Sequence, residues 1–327
     1  MSISVVVPVY NSEGTLGALV SRLGTVLEAT GDPYELILVN DGSLDRSWEM
    51  ALQMTAQHDW IMVINLMRNY GQHNALLCGI RAARYDTIVT MDDDLQNPPE
   101  EIPKLLAKLE EGYDAIYGTP VRQQHGIWRD LASSATKLAL QGAMGVQTAR
   151  QVSAFRAFRT RVREAFAGYR GAFVSIDSLL TWGTTKFGAV TVRHEPRTVG
   201  ASNYTFRKLL AHSLNMMTGF STLPLRFATY IGFAFTLIGL AVLAVVILRY
   251  FTAGDSVPGF PFLASIIAIF SGAQLFALGI FGEYLARVFL RITEAPPYIV
   301  RDAVNPSGRA LPASKEGSSR SSRGAAP

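Results

Sequence analysis

Two runs of this sequence hold no charged residue: Phe227 to Leu248, 22 residues, and Phe260 to Gly282, 23 residues. At about 1.5 Å per residue, each makes a helix long enough to cross the hydrocarbon core of a bilayer with some tilt. The competing reading is a pair of buried core helices, but uncharged runs of this length are uncommon in soluble cores. The chain therefore reads as one with two transmembrane helices near its C-terminal end. Arg207, Lys208 and Arg226 precede the first span, and Arg287, Arg291 and Arg301 follow the second. The connection Tyr250 to Gly259 has no Lys or Arg beyond Arg249 at the helix end. By the positive-inside rule both termini are expected in the cytoplasm and the connection outside. The chain starts at Met1 directly into a strand pattern without a basic leader, so no signal peptide is expected.

Outside the spans the composition is that of an ordinary folded protein. Of 327 residues, 49% are hydrophobic, 17% are charged and one is cysteine, which excludes a disordered or disulfide-stapled chain. The lone Cys78 suits a reducing compartment. The formal charge of +4 conceals a division. Residues 1–120 carry 7 Lys/Arg against 17 Asp/Glu, residues 121–300 carry 18 against 7, and residues 301–327 carry 5 against 2. An acidic half precedes a basic half, and each implies partners of opposite sign.

The acidic half alternates short β-branched runs with apolar-periodic segments. Strands are expected at Ile3 to Val9, Glu35 to Val39, Ile61 to Leu66 and Thr87 to Met91. Helices are expected around Thr15 to Ala29, Ser47 to Ala56 and Ala75 to Arg84. Regular alternation predicts an α/β fold with a mainly parallel sheet, whose ligands sit beyond the carboxyl ends of the strands. The polar residues gather at those ends: Pro8 to Glu13, Asn40 to Ser43, Arg68 to His73 and Asp92 to Gln96. From Asn305 the chain is rich in Ser, Arg, Gly, Ala and Pro and is expected to be disordered.

Asp92, Asp93 and Asp94 follow the fourth strand directly. Adjacent carboxylates repel one another, so a triplet at a sheet edge is costly unless a cation neutralises it. Mg2+ or Mn2+ suits such a site, because these ions take one or two carboxylates and complete their shells with phosphate and water. Gln96 adds a neutral oxygen. Asn97 is expected to cap the next helix, with prolines at its start and Glu100 and Glu101 in its first turn. Asp41, before Gly42 and Ser43, is placed either to accept from a base or ribose or to form an Asx-turn. Pro8, Tyr10 and Glu13 end the first strand, where a ring and a carboxylate can hold a nucleoside; Tyr10 reads equally as packing. Gly71 lets the backbone bend before the helix at Gln72, and His73, in that first turn, reads as a structural hydrogen-bonding residue.

These segments carry a resemblance. "VVVPVYNSE", "ILVNDGS", "NLMRNYGQHNALLCGI" and "MDDDLQNPPEEIPKLL", in this order, resemble glycosyltransferase family 2, with its GT-A, Rossmann-like fold. With two C-terminal spans and "GEYLARVFLRITEAPPYIV" (Gly282 to Val300), the chain is similar to the polyprenyl-phosphate glycosyltransferase subgroup over about residues 3 to 300. The resemblance implies that Asp92 and Asp94 are the catalytic pair, with Asp94 and Gln96 as ligands of Mg2+ or Mn2+ and Asp92 and Asp93 facing the nucleotide. It implies a nucleotide-sugar pocket of Pro8, Tyr10, Glu13, Asp41, Gly71 and Gln72. Arg122, Arg129, Arg197 and Ser202 are assigned to the acceptor phosphate, since guanidinium groups bind phosphate bidentately. Lys137 and Arg156 fall near that acceptor or the membrane surface, and the run Arg156, Arg159, Arg161, Arg163 reads as mostly a surface face. Trp128 to Leu140 and Phe206 to Phe220 read as interfacial helices or as ordinary amphipathic ones.

Two positions depart from the family pattern: Arg150 stands where relatives carry an acidic residue proposed as a base, and Asn203 where they carry Lys. The expected domains are a glycosyltransferase domain at 1–224, a two-helix anchor at 225–300 and a disordered basic tail at 301–327. The expected function is inverting transfer of one sugar from a nucleotide sugar, a UDP-sugar, to a polyprenyl phosphate at the cytoplasmic face of a bacterial-type inner membrane. Expected partners are the donor, the lipid phosphate, membrane lipids and, by resemblance, further copies as a tetramer, but no nucleic acid. Two other function classes compete with this one. A processive polysaccharide synthase needs more spans and a "QxxRW" segment that this chain lacks, and a silent scaffold of the same fold is motivated by Arg150 and Asn203.

Overall fold

The computed structural model describes residues 1–120, 152–171, 174–196, 223–253, 259–292 and 296–305. The expectations for Arg122, Arg129, Lys137, Arg150, Arg197, Ser202 and Asn203, for the segments 128–140 and 206–220, and for the chain beyond 305 lie outside these residues. The described residues fall into two compact units. One holds the residues before 204 together with 296–305, and the other holds the two long apolar helices.

The first unit begins β1 (Ile3–Val9), α1 (Leu16–Ala29), β2 (Tyr34–Asn40), α2 (Ser47–Gln57), β3 (Ile61–Leu66), α3 (Gln72–Ala82) and β4 (Thr87–Thr90). The alternation read from the sequence is therefore present, with element ends within three residues of those expected. Beyond β4 come a 3-10 turn (Pro99–Glu101), α4 (Ile102–Glu110), β5 (Ala115–Pro120), β6 (Arg156–Arg159), a 3-10 helix (Thr160–Phe166), α5 (Ile176–Gly183) and β7 (Phe187–Val192). All the described strands join one sheet in the order β7-β5-β6-β4-β1-β2-β3-β8, where β8 is Val300–Val304. β6 and β8 run against the others; the remaining described strands are parallel.

Every residue of β1 is buried, as a strand covered on both faces must be. Val5, Val7 and Val9 pack with Leu16, Leu19 and Leu23 of α1 and Leu105 and Leu109 of α4. Val6 turns to the other face, with Leu76 and Leu77 of α3 and Ile176 and Leu179 of α5. Gly79 lets α3 lie close to that face, because a Cβ there would sit 2.4 Å from Val6 Cγ1.

β8 corrects the expected tail. Residues 301–304 pair antiparallel with β3, from Val63 opposite Val304 to Leu66 opposite Val300. The segment is charged and exposed, but β3 leaves a row of unpaired backbone groups at the sheet edge, and pairing there satisfies both chains. Tyr298, just ahead of it, packs against the α3 face, and the Arg81 guanidinium lies over its ring at 5.7 Å.

The second unit is α6 (Leu223–Ala253) and α7 (Phe260–Ile292), 31 and 33 residues long. Phe235 meets Phe270 edge-on at 5.7 Å, and Gly239 admits the Phe270 ring. The buried-core reading does not hold, since only 6% and 0% of the two most apolar windows are buried within the chain. Both helices are long and apolar enough to cross a membrane.

Candidate active site

The chain passes from β1 to β2 and β3 on one side, then returns to place β4 on the other side of β1. In a doubly wound sheet the crevice at such a reversal is the ligand site. Here it is bridged by the acidic triplet. The Tyr10 N–H, one residue past β1, donates to Asp93 Oδ2 at 3.1 Å, and the Ser12 hydroxyl donates to the same oxygen. Burial pushes the Asp93 carboxyl up from its ordinary range; the bonds from Ser12 and Tyr10 oppose that shift and the charge of Asp94 adds to it. Asp93 therefore ties the loop after β1 to the turn after β4. Asn11 and Leu95 adopt left-handed backbone at φ 53° and 61°, which bends both segments at this junction.

Asp92 and Asp94 are half-buried. Gln72, the first residue of α3, donates its side-chain amide to Asp92 Oδ1, while Asp94 Oδ1 accepts the Gln96 N–H at 3.1 Å. The Gln96 carbonyl accepts from the Glu195 N–H at 2.8 Å, which brings the segment after β7 to this turn. Asn97 is not the expected cap. It is buried, and Pro98 occupies the position before the 3-10 turn, its fixed backbone starting the turn without a side-chain bond. Among the described residues no three His, Cys, Asp or Glu side chains form a metal cage. The expected ligands, Asp94 and Gln96, stand two residues apart on one turn, with the Gln96 N–H donating to Asp94 Oδ1. One carboxylate with one amide oxygen is the kind of sparse oxygen set that a hard divalent ion completes with substrate phosphate and water, so the residue types present fit Mg2+ or Mn2+.

The residues expected to line a nucleotide pocket meet around the ends of β1, β2 and β3. Asp41 is buried and accepts the backbone N–H groups of Tyr70 at 2.7 Å and Gly71 at 2.8 Å. Burial raises its carboxyl from the ordinary range against those two bonds. Gly71, at φ 93°, makes the left-handed bend that starts α3. Tyr10 is 42% exposed and so is not core packing. Glu13 accepts the Arg46 N–H at 3.1 Å at the start of α2, and its own N–H donates to Asp45. Pro8 is buried within β1 opposite Val39. His73 is structural as read, its Nδ1 accepting the Ile176 N–H at 3.3 Å.

Two parts of this framework had no separate signal in the sequence. Asn40 donates to Asn65 Oδ1 at 2.8 Å, and Asn65 donates on to Asp302 of β8 at 3.5 Å, so the last strand reaches the end of β2 beside Asp41. Arg156 is not on a surface face: it is 2% exposed, at the start of β6, and paired with Asp177 of α5. Arg159, Arg161 and Arg163 lie at the opposite end of β6 and beyond; Arg161 pairs with Asp114 at 2.7 Å and Arg163 donates to the carbonyls of Ile80 and Ala83.

Comparison with known proteins places this architecture. Residues 4–173 match the family model described as glycosyl transferase family 2. The chain is 35% identical over 314 residues to the undecaprenyl-phosphate 4-deoxy-4-formamido-L-arabinose transferase of Pseudomonas aeruginosa, covering 95% of this chain and 92% of that one. It is 34% identical over 307 residues to the protein of the same name from Pectobacterium atrosepticum, covering 93% and 94%. Among solved structures it is similar in fold to glucosyl-3-phosphoglycerate synthase of Mycobacterium tuberculosis in complex with Mn2+ and UDP-glucose. That likeness has a TM-score of 0.51 at 20% identity, over 66% of this chain and 77% of that one. A second complex of that synthase, with Mn2+, UDP and glucosyl-3-phosphoglycerate, gives a TM-score of 0.50.

Proposed function

The chain belongs to glycosyltransferase family 2, and with that as premise we propose that it transfers one sugar, with inversion, from a UDP-sugar to a polyprenyl phosphate at the cytoplasmic face of an inner membrane. The observation that carries the reading is the convergence of Tyr10 and Ser12, Gln72, and Asp92 to Gln96 at the reversal between β1 and β4. Full-length likeness to two curated undecaprenyl-phosphate sugar transferases supports the acceptor class. Two apolar helices of 31 and 33 residues support a membrane-bound site for a lipid acceptor, with both termini cytoplasmic by the distribution of Lys and Arg.

Asp94 and Gln96 hold Mg2+ or Mn2+ in this reading, with Asp92 beside them. Such an ion, when bound, neutralises charge that develops on the departing nucleoside diphosphate. Exposed Tyr10 flanks the nucleoside, and Asp41 shapes the loop of Tyr70 and Gly71 against it while keeping lone pairs for the base. Gln72 holds Asp92 in place. Arg122, Arg129, Arg197 and Ser202 are assigned to the acceptor phosphate. That phosphate, with a second pKa of roughly 6, is already mostly a dianion near neutral pH. It needs no protein base to become a nucleophile, which accommodates Arg150 where relatives carry an acid.

The test is to incubate the purified protein with polyprenyl phosphate, Mg2+ or Mn2+ and a panel of labelled UDP- and GDP-sugars, scoring label in the organic phase. Transfer from a UDP-sugar is expected, and Asp94→Ala should lower it by at least about 10²-fold, as removal of one electrostatic stabiliser does. Absence of label from every donor would leave the silent scaffold as the better reading. Loss of activity in Arg150→Ala as deep as in Asp94→Ala would sink the account without a base.

A further inference from the structure

Arg156 is a full guanidinium in the core, and one of its bonds reaches the end of the strand that runs into the acidic turn. Its Nε donates to Thr90 Oγ1 at 3.1 Å and to the Ala154 carbonyl at 3.4 Å, and its Nη1 donates to Asp177 Oδ1. Thr90 is the last residue of β4, wholly buried and two residues before Asp92, and its hydroxyl donates in turn to the Ala154 carbonyl at 2.9 Å. The Tyr117 hydroxyl donates to the same Asp177 oxygen at 3.0 Å, so β4, β5, β6 and the first turn of α5 meet on one ion pair. A second link closes the ring: Ile176, next to Asp177, donates to His73, whose neighbour Gln72 donates to Asp92. Asp92 is thus bonded from α3 by Gln72, while the strand end two residues before it is bonded at Thr90. The first link leads through His73 and Ile176, the second through Arg156 and Asp177, to the start of α5.

A buried ion pair is a poor means of stabilising a core, since apolar residues of similar volume usually do as well or better. What it supplies instead is a fixed geometry with several directed bonds, and sites that bind ions and phosphates lose function when their supports shift by even about 1 Å. Given the reading of Asp92 to Gln96 as the cation and diphosphate turn, on which this rests, we infer that Arg156 is a positioning residue for that turn. Acting through Thr90 and Asp177, it sets how tightly the site takes a divalent cation together with a nucleoside diphosphate. It is not a ligand of the acceptor phosphate.

The experiment measures binding of UDP to the purified full-length protein by calorimetry, with and without Mn2+, alongside thermal melting. In Arg156→Met/Asp177→Leu the pair becomes apolar at similar volume. Its melting temperature should stay within a few degrees of wild type, while Kd for UDP with Mn2+ rises at least tenfold and Kd without Mn2+ is unchanged. Arg156→Lys, which keeps the charge but not the fork, should recover part of the loss. Thr90→Val removes only the hydroxyl beneath the turn and should shift the Mn2+-dependent Kd in the same direction. Wild-type affinity in a double variant that melts normally would make Arg156 a fold element only and overturn the inference. Should the double variant not fold, Thr90→Val decides: a normal melt with an unchanged Kd overturns it, and a raised Kd upholds it. Asp94→Ala is the control. If wild-type binding is indifferent both to Mn2+ and to Asp94→Ala, the reading of the turn fails and takes this inference with it, whereas metal-dependent binding that ignores Arg156 overturns this inference alone.

Discussion

Asp41 and Gly71 lie 30 residues apart, yet the Gly71 N–H donates to Asp41 Oδ2 at 2.8 Å, with Tyr70 donating to the other oxygen at 2.7 Å. The loop that starts α3 is therefore hung from the end of β2. Asp41→Asn keeps one acceptor and turns an amide N–H toward a backbone N–H, leaving one buried donor unmatched. A loss of about 1–3 kcal/mol in urea unfolding is expected, with a higher KM for the nucleotide sugar and a smaller change in kcat. An unchanged KM in a destabilised variant would mean that the loop does not border the donor.

The two glycines at this junction should differ sharply. Gly71 has φ 93° with nothing within 4 Å of a built Cβ, so Gly71→Ala costs only the left-handed backbone, about 1–2 kcal/mol. Gly42 has φ 67°, and its Cβ would sit 2.6 Å from the backbone nitrogen of Asn69. Gly42→Ala must add the displacement of a backbone segment, a further cost of about 1–3 kcal/mol. Chemical denaturation of the two variants side by side checks the order, and equal losses would contradict it.

Arg22 donates to both oxygens of Glu100, at 2.9 and 2.7 Å, and this pair should appear in the pH dependence of stability. Its guanidinium holds the Glu100 carboxyl below the usual range. A carboxyl depressed in the folded state stabilises above its unfolded pKa, about 4.3, and that contribution is lost as pH falls through the lower folded value. Both side chains are about a third exposed, so the pair is worth no more than roughly 1 kcal/mol. Arg22→Gln should melt slightly below wild type at pH 7, and the two curves should converge below about pH 4. A gap that widens in acid would refute the sign.

Cys78 reports on the returning strand. It is 4% exposed beneath Tyr298, and burial pushes its thiol up to about 12. In the native wild-type protein it should resist a thiol reagent at pH 8, because reaction needs an exposed thiolate. Tyr298→Ala, or a chain ended before residue 296, should open it to labelling. Continued protection in both would show that the α3 face is covered by something other than this segment.

The sequence alone carried the alternation of β1 to β4 with α1 to α3, because β-branched runs and 3.6-residue periodicity are local signals. It carried the two long apolar helices as well, since an uncharged run of 22 residues marks a helix long and apolar enough to cross a membrane. It also marked the residues of the crevice, because polar clusters after apolar strands fall at one sheet edge whatever the order of the strands. Strand order and partnership were another matter. That β6 is inserted in reverse between β4 and β5, that β8 closes the edge beside β3, and that Arg156 finds Asp177 inside the core are contacts between residues 21 to about 240 apart in the chain. An arginine in a run of four reads as a surface residue until an acid from another element is known to meet it, because a buried charge is tolerable only when paired. Residue types told which chemistry the chain holds; tertiary structure decided which side chains meet, so that Asp41 carries the loop of Tyr70 and Gly71 and Asp177 pairs with an arginine inside the core.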